Sequence, residues 1–166
     1  MKRSGFTMIE LIFVIVILGI LAAVAVPKLM ATRTDAKIST IGNSLASAEQ
    51  EIVNYYTSQG TLQPKGSQMS AVLKQYVDNQ TDGVNPVENG DYKDTIQIDD
   101  GSGNFQDCVV FDWSNGSGAP GDYLRIYQAQ NYTPGTNTIC DGILHILGVD
   151  NGQEKNFTLK ASNVKF

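Results

Sequence analysis

Residues 11–26 read Leu-Ile-Phe-Val-Ile-Val-Ile-Leu-Gly-Ile-Leu-Ala-Ala-Val-Ala-Val, without a charge or a strong polar group. A run of this kind cannot stay in water, so it ends up inside protein or inside lipid. Its sixteen residues reach roughly 24 Å as a helix, short of a hydrocarbon core of about 30 Å. Adding Phe6, Thr7, Met8, Ile9 and Glu10 brings the stretch to roughly 32 Å, which spans. The span therefore works only with Glu10 inside it. A lone carboxylate at that depth costs on the order of 3 kcal/mol, so it calls for a partner or a purpose.

Two ordinary readings of the segment leave something unexplained. A secretory signal peptide accounts for Lys2, Arg3, the apolar run and Ala23-Val24-Ala25 as a small-residue cleavage site. It does not account for Glu10, or for the polar helix that continues straight on. A plain membrane anchor has no use for Glu10 either. Flanking charge would leave the anchored body in the cytoplasm, because Lys28, Arg33 and Lys37 outnumber Lys2 and Arg3.

The residues themselves offer a third reading. Lys2-Arg3-Ser4-Gly5-Phe6-Thr7-Met8-Ile9-Glu10-Leu11, followed by the apolar run and Pro27, closely resembles the N-terminus of type IV pilins and type II secretion pseudopilins. The match covers about thirty residues: a basic leader ending in Gly5, then Phe6, an acid at Glu10, and Pro27 closing the apolar stretch. The resemblance implies a prepilin peptidase that cuts between Gly5 and Phe6 on the cytoplasmic side and N-methylates Phe6. The leader then stays inside and the body faces out. The precursor is expected in a bacterial inner membrane with a periplasmic C-terminal domain, and the mature chain in a periplasmic or cell-surface filament. The partners implied are the lipid bilayer, copies of the chain and related pilins, the peptidase, and an inner-membrane assembly platform driven by an ATPase. No cofactor is implied.

Gly5 suits a scissile position because no side chain blocks the backbone. In the family, the acid at the position of Glu10 is thought to pair with the N-terminal amine of a neighbouring subunit, which would give the buried carboxylate a low-dielectric partner. Gly19-x-x-x-Ala23 fits both ordinary membrane-helix composition and close helix approach. Pro27 is expected to kink the helix.

Beyond Pro27, Ile38, Ile41, Leu45, Ala48, Ile52 and Tyr55 recur in steps of three and four, the stripe of an amphipathic helix that needs a partner surface. Gly60 is a natural stop. The helix so defined, residues 6–58, measures roughly 80 Å, and Gly42-Asn43 is expected to interrupt its second half. The layout is a leader at 1–5, a membrane or filament-core helix at 6–27, its amphipathic continuation at 28–59, and a globular domain at 60–166. A short helix is expected after Ser67, with Met69, Val72, Leu73, Tyr76 and Val77 on one face. Nine acids and one base then fall between Asp78 and Asp112. Short apolar runs follow at Thr95–Ile98, Phe105–Trp113, Tyr123–Ala129, Ile143–Gly148 and Phe157–Lys160, divided by Asp100-Gly101, Asn115-Gly116, Pro134-Gly135 and Asn151-Gly152. They predict four or five antiparallel strands and an α+β fold, a long N-terminal hydrophobic helix laid on a small sheet. Pilins share that layout.

Cys108 and Cys140 are the two cysteines. In an exported chain they are expected to form a disulfide, as many type IV pilins do. Chain entropy values such a closure, 33 residues from Cys108 to Cys140 inclusive, at about 3.7 kcal/mol.

The remaining signals are less specific. Asp99-Asp100-Gly101-Ser102-Gly103-Asn104 reads as an acidic hairpin turn, with Asp99, Asp100 and Asn104 as the groups a calcium ion would find there; it lacks the EF-hand pattern. Asn156 starts a glycosylation sequon with Glu154 two residues earlier, and Asn79, Asn115 and Asn131 start others. Trp113, Tyr123, Tyr127 and Tyr132 read as strand aromatics, core rather than an exposed patch. His145, the single histidine, sits among Ile143, Leu144, Ile146 and Leu147 and reads as a strand residue. With a single histidine and no cluster of Cys and His, a zinc site is not expected, and no marked nucleophile accompanies His145, so an enzyme is not expected either. A formal charge of −5 argues against direct nucleic-acid binding. The function expected is a structural subunit of a type IV pilus-like filament. The alternatives are a pseudopilin of a type II secretion or DNA-uptake pseudopilus and, further off, a monomeric anchored binding module.

Overall fold

The computed structural model describes residues 5–80, 83–89, 92–114 and 122–159. Two compact units emerge, Met1–Ala36 and Lys37–Phe166, and the first helix, α1 (Met8–Gln59), carries residues of both. The element order continues with a 3₁₀ turn (Gly66–Gln68), α2 (Ala71–Asn79), β1 (Val84–Glu88), β2 (Lys93–Asp99), β3 (Phe105–Ser114), β4 (Asp122–Gln128), α3 (Thr138–Leu147) and β5 (Glu154–Leu159). The five strands form one antiparallel sheet in sequence order. The architecture is the expected α+β one.

From Ile41 onward α1 is one-sided. Ile41, Gly42, Leu45, Ala48, Glu49, Ile52 and Tyr56 are buried, the three-and-four spacing of a single helical face. Ile41, Leu45, Ala48, Ile52 and Tyr56 join one apolar cluster with Ile96, Ile98, Phe111, Trp113, Leu124 and Ile126 of the sheet. Tyr56 lies in this core and Tyr55 only at its margin. Gly60 ends the run with φ +70°, and its N–H donates to the Tyr56 carbonyl at 2.7 Å. Gly42-Asn43 does not interrupt the helix. Gly42 and Gly142 instead make a reciprocal contact between α1 and α3. A Cβ on Gly42 would stand 2.8 Å from Ile146 Cδ1, and one on Gly142 would stand 2.6 Å from Ile38 Cγ2. Each helix drops an isoleucine onto the other's glycine, an approach no larger residue permits.

Polar ties complete the attachment of α1. Glu49, 4% exposed, accepts from Lys155 Nζ of β5 at 3.1 Å. Glu51 accepts from Ser70 Oγ at 2.6 Å and from the Val72 N–H at 3.2 Å, which brings negative charge to the N-terminus of α2. Ser70 caps that helix by accepting from the Leu73 N–H. The second helix thus begins three residues later than the serine at Ser67 suggested, and Ser67 lies in the 3₁₀ turn.

Two elements differ from the sequence reading. Residues 143–147 are helical, not a strand. Asn137 caps α3, its Oδ1 accepting from the Ile139 and Cys140 N–H groups. Gly148 closes it with φ 68° and an N–H donated to the His145 carbonyl. Ile139, Cys140, Ile143, Leu144 and Leu147 make the buried stripe, leaving His145 exposed and paired with Asp150 at 3.1 Å. Strand β1 was hidden by Pro86, which the sheet tolerates because β1 is an edge strand. The expected Asn115-Gly116 turn and Lys160 lie outside the described residues.

Cys108 and Cys140 are joined, with 5.8 Å between their Cα atoms. Cys108 sits where the β2–β3 register shifts past Ile96 and Gln97, so the bond ties α3 to an irregular point of the sheet. Replacing both cysteines by serine is expected to lower stability by about 2–4 kcal/mol, read as a reduced urea midpoint of the full chain in detergent. Gly42→Leu is expected to cost about 1–3 kcal/mol through overpacking against Ile146, more than the helix-propensity gain returns. An unchanged midpoint in either variant would contradict the packing described.

Candidate functional site: the N-terminal segment

The first turn of α1 is built by a local device. Thr7-Met8-Ile9-Glu10 has the spacing of a capping box. The Glu10 carboxylate accepts from the Thr7 N–H at 2.8 Å and from Thr7 Oγ1 at 2.6 Å. Thr7 in turn offers its carbonyl to the Leu11 N–H. The acid in the apolar stretch therefore has a partner within its own chain. Thr7 is the residue that the sequence reading missed, although the Thr-x-x-Glu spacing ahead of an apolar run was there to be read. Gly5 precedes this turn with nothing within 4 Å of where a Cβ would stand. Phe6 is 85% exposed.

Along the rest of the unit ending at Ala36, the apolar side chains have no cover. Among the described residues, every exposed large hydrophobic residue apart from Phe105 and Ile146 lies between Phe6 and Met30. The best 18-residue window of α1 has a mean hydropathy of 3.1 and is 0% buried, so by length and composition the helix can cross a membrane. Gly19 is equally open. Pro27 lies inside the continuous helix and deprives the Ala23 carbonyl of its intrahelical donor. Gly5, Phe6 and Glu10 are thus gathered at one end of an uncovered apolar helix, with Pro27 further along it.

The other candidate residues lie apart from this end. Asp99 Oδ1 accepts from the Gly101 and Gly103 N–H groups at 2.9 and 2.8 Å, and Asp100 Oδ1 accepts from the Ser102 N–H at 2.7 Å. The Ser102 N–H above all holds the Asp100 carboxyl below its ordinary range, with smaller help from Asn104. These acids serve the turn between β2 and β3. Among the described residues no group of three or more His, Cys, Asp or Glu side chains could hold a metal. Asn156 is exposed on β5, and its amide donates to Glu154 at 2.8 Å. Asn131 donates to Asp107 at 2.7 Å. Trp113 is a core residue whose Nε1 donates to the Gln63 carbonyl, and Tyr132 is buried as well. Tyr123 and Tyr127 flank Arg125 on the outer face of β4.

Comparison with known proteins bears on the first of these regions. Residues 1–26 match the family described as the prokaryotic N-terminal methylation motif. The type II secretion system core protein G of Pseudomonas aeruginosa is 53% identical over 38 residues, which are 23% of this chain and 27% of that protein. The chain thus spans about a quarter of the length of the curated relative it matches. No solved structure matches the chain. Both similarities lie in the N-terminal segment. With the methylation motif at its start, an uncovered apolar helix behind it and an α+β body, the chain bears out a resemblance to the type IV pilins and type II secretion pseudopilins.

Proposed function

We propose that the chain is a prepilin, cut between Gly5 and Phe6, N-methylated on Phe6, and drawn from the inner membrane into a type IV pilus-like filament. The observation that carries the proposal is an apolar helix face with no cover among the described residues and a carboxylate, Glu10, at its start. Lipid covers that face in the precursor, and neighbouring helices cover it in the filament. Cleavage leaves a new amine on Phe6 four residues before Glu10. In the precursor Glu10 is held by Thr7 alone among the described residues. The amine of an incoming subunit supplies the opposite charge that a neutral hydroxyl cannot. The acid then selects for a processed neighbour, because removing one member of a buried pair typically costs about 3–5 kcal/mol.

A second reading has its own support. The similarity to a secretion-system core protein favours a pseudopilin, in which the same chemistry builds a periplasmic filament that stays below the cell surface.

Mass spectrometry of the mature N-terminus, from membranes and from a sheared surface fraction, tests both. A chain starting at methylated Phe6 and recovered in the sheared fraction is the expected result, and the same chain found only in membranes would favour the pseudopilin. A start at Val26 or an intact Met1 would overturn the proposal. Glu10→Ala is expected to yield a processed, membrane-held protein that does not polymerise. Normal filaments from that variant would remove Glu10 from the assembly mechanism.

A further inference from the structure

The connector between α1 and α2, residues 60–70, is held to the sheet at an unusual place. Leu62 and Met69 are buried, and the Gln63 carbonyl accepts from Trp113 Nε1 at 2.7 Å. Between them the backbone of Gly66 comes down onto Asp94 of β2, its N–H donating to Asp94 Oδ2 at 2.8 Å. Side chains of Asp94 and Leu73 fill the space where a Cβ would stand, so only glycine allows the approach. Asp94 is 0% exposed. Its second oxygen, Oδ1, is buried without a hydrogen-bond partner.

A carboxylate in that setting would bury a full charge against one N–H donor, whereas the neutral acid leaves only a hydroxyl unsatisfied. The charged groups that act on it pull in opposite directions. Glu88, its cross-strand partner on β1, disfavours a second negative charge, and Lys65 of the connector favours one. Lys65 is already committed to Glu88 at 3.0 Å. Ser67 donates to Glu88 from both its N–H and its hydroxyl. Burial pushes the Glu88 carboxyl up, but Ser67 and Lys65 together hold it below its ordinary value. Leu73 of α2 and Phe111, opposite Asp94 on β3, carry no charge; Lys93 precedes Asp94 on β2 with its ammonium over the Tyr127 ring, and Tyr92 lies one residue further. The two acids are thereby split, with Glu88 held below its ordinary range and Asp94 raised above it.

We propose that Asp94 is a proton-operated latch for the connector: the neutral acid holds residues 60–70 on the sheet, and loss of its proton releases them. Burial, reinforced by Glu88, raises the Asp94 carboxyl to about 7 in the latched state, whereas a solvated aspartate lies near ~3.9. The latched state therefore holds more protons than the open one between those values. Its advantage is fully present below about pH 4, declines as pH rises through the window, and stops changing above about pH 7.

Hydrogen exchange of the full chain in detergent micelles tests the latch. Protection of the Gly66 amide, corrected for the intrinsic rate, is expected to fall by up to about tenfold per pH unit between pH 5 and 7 and then to level off. Asp94→Asn keeps the shape of the neutral acid and is expected to abolish that slope. Equal slopes in the two proteins, or a flat profile in the wild type, would overturn the proposal. Titration of the Asp94 carboxyl carbon by NMR in the wild type decides the matter even if the variant does not fold. A midpoint near 7 supports the latch, and a midpoint below 5 ends it.

Discussion

Everything in this chain follows from a helix face that the chain cannot bury. Between Phe6 and Met30 the side chains are hydrocarbon on nearly every side, broken by Thr7, Glu10, Lys28 and a few small residues, and all of them are exposed. A soluble core helix of this composition would lie beneath a sheet or another helix, and the described residues provide neither. Leaving Leu, Ile, Val and Phe side chains in water costs about 1.5–3 kcal/mol each relative to burial. On the proposed function, lipid and then other subunits supply that cover, and assembly becomes an exchange of one apolar cover for another.

The second half of α1 obeys the opposite rule. There the apolar residues keep to one face and the body covers them. Glu49 shows how tightly: a carboxylate on the buried face is tolerated because Lys155 reaches it from β5. The small residues have different uses on the two sides of Ala36. Gly42 and Gly142 let α3 and α1 interlock through Ile146 and Ile38, whereas Gly19 faces open space and can serve an approach only by a helix from outside the chain.

The long helix, its end at Gly60 and most of the sheet were legible because they rest on local periodicity and turn residues, which need no tertiary information. The same logic explains the failures. Ile143–Leu147 is a short apolar run that suits a strand or a buried helix turn equally. The deciding signals were Asn137 and Gly148 at its flanks and the spacing from Ile139 to Leu147. Pro86 argued against β1 only for a central strand, and nothing local says which strand lies at an edge. Gly5, Phe6 and Glu10 could be read because their order along the chain is itself the signal, and Thr7 carried the same kind of signal. Asp94 could not, since one acid among nine in the stretch from Asp78 to Asp112 is set apart only by what folds over it.

On the proposed function, a subunit drawn out of a membrane by its helix has to transmit that load without unravelling, and the attachments of α1 suit that demand. Its apolar stripe meets the sheet interior, Glu49 grips the edge strand β5, Glu51 sits at the start of α2, and Gly42 and Ile38 engage α3. Four separate parts of the body thus hold one helix. The disulfide between Cys108 and Cys140 fastens α3 to β3, so load passed to α3 is shared with the sheet through a covalent bond. By contrast, the connector after Gly60 is held by the buried side chains of Leu62 and Met69, by hydrogen bonds at Gln63 and Gly66, and by Lys65, Ser67 and Ser70 reaching Glu88 and Glu51. None of these ties is a strand ladder or a disulfide, so opening the connector costs these contacts alone, because local stability follows the contacts that a segment would lose.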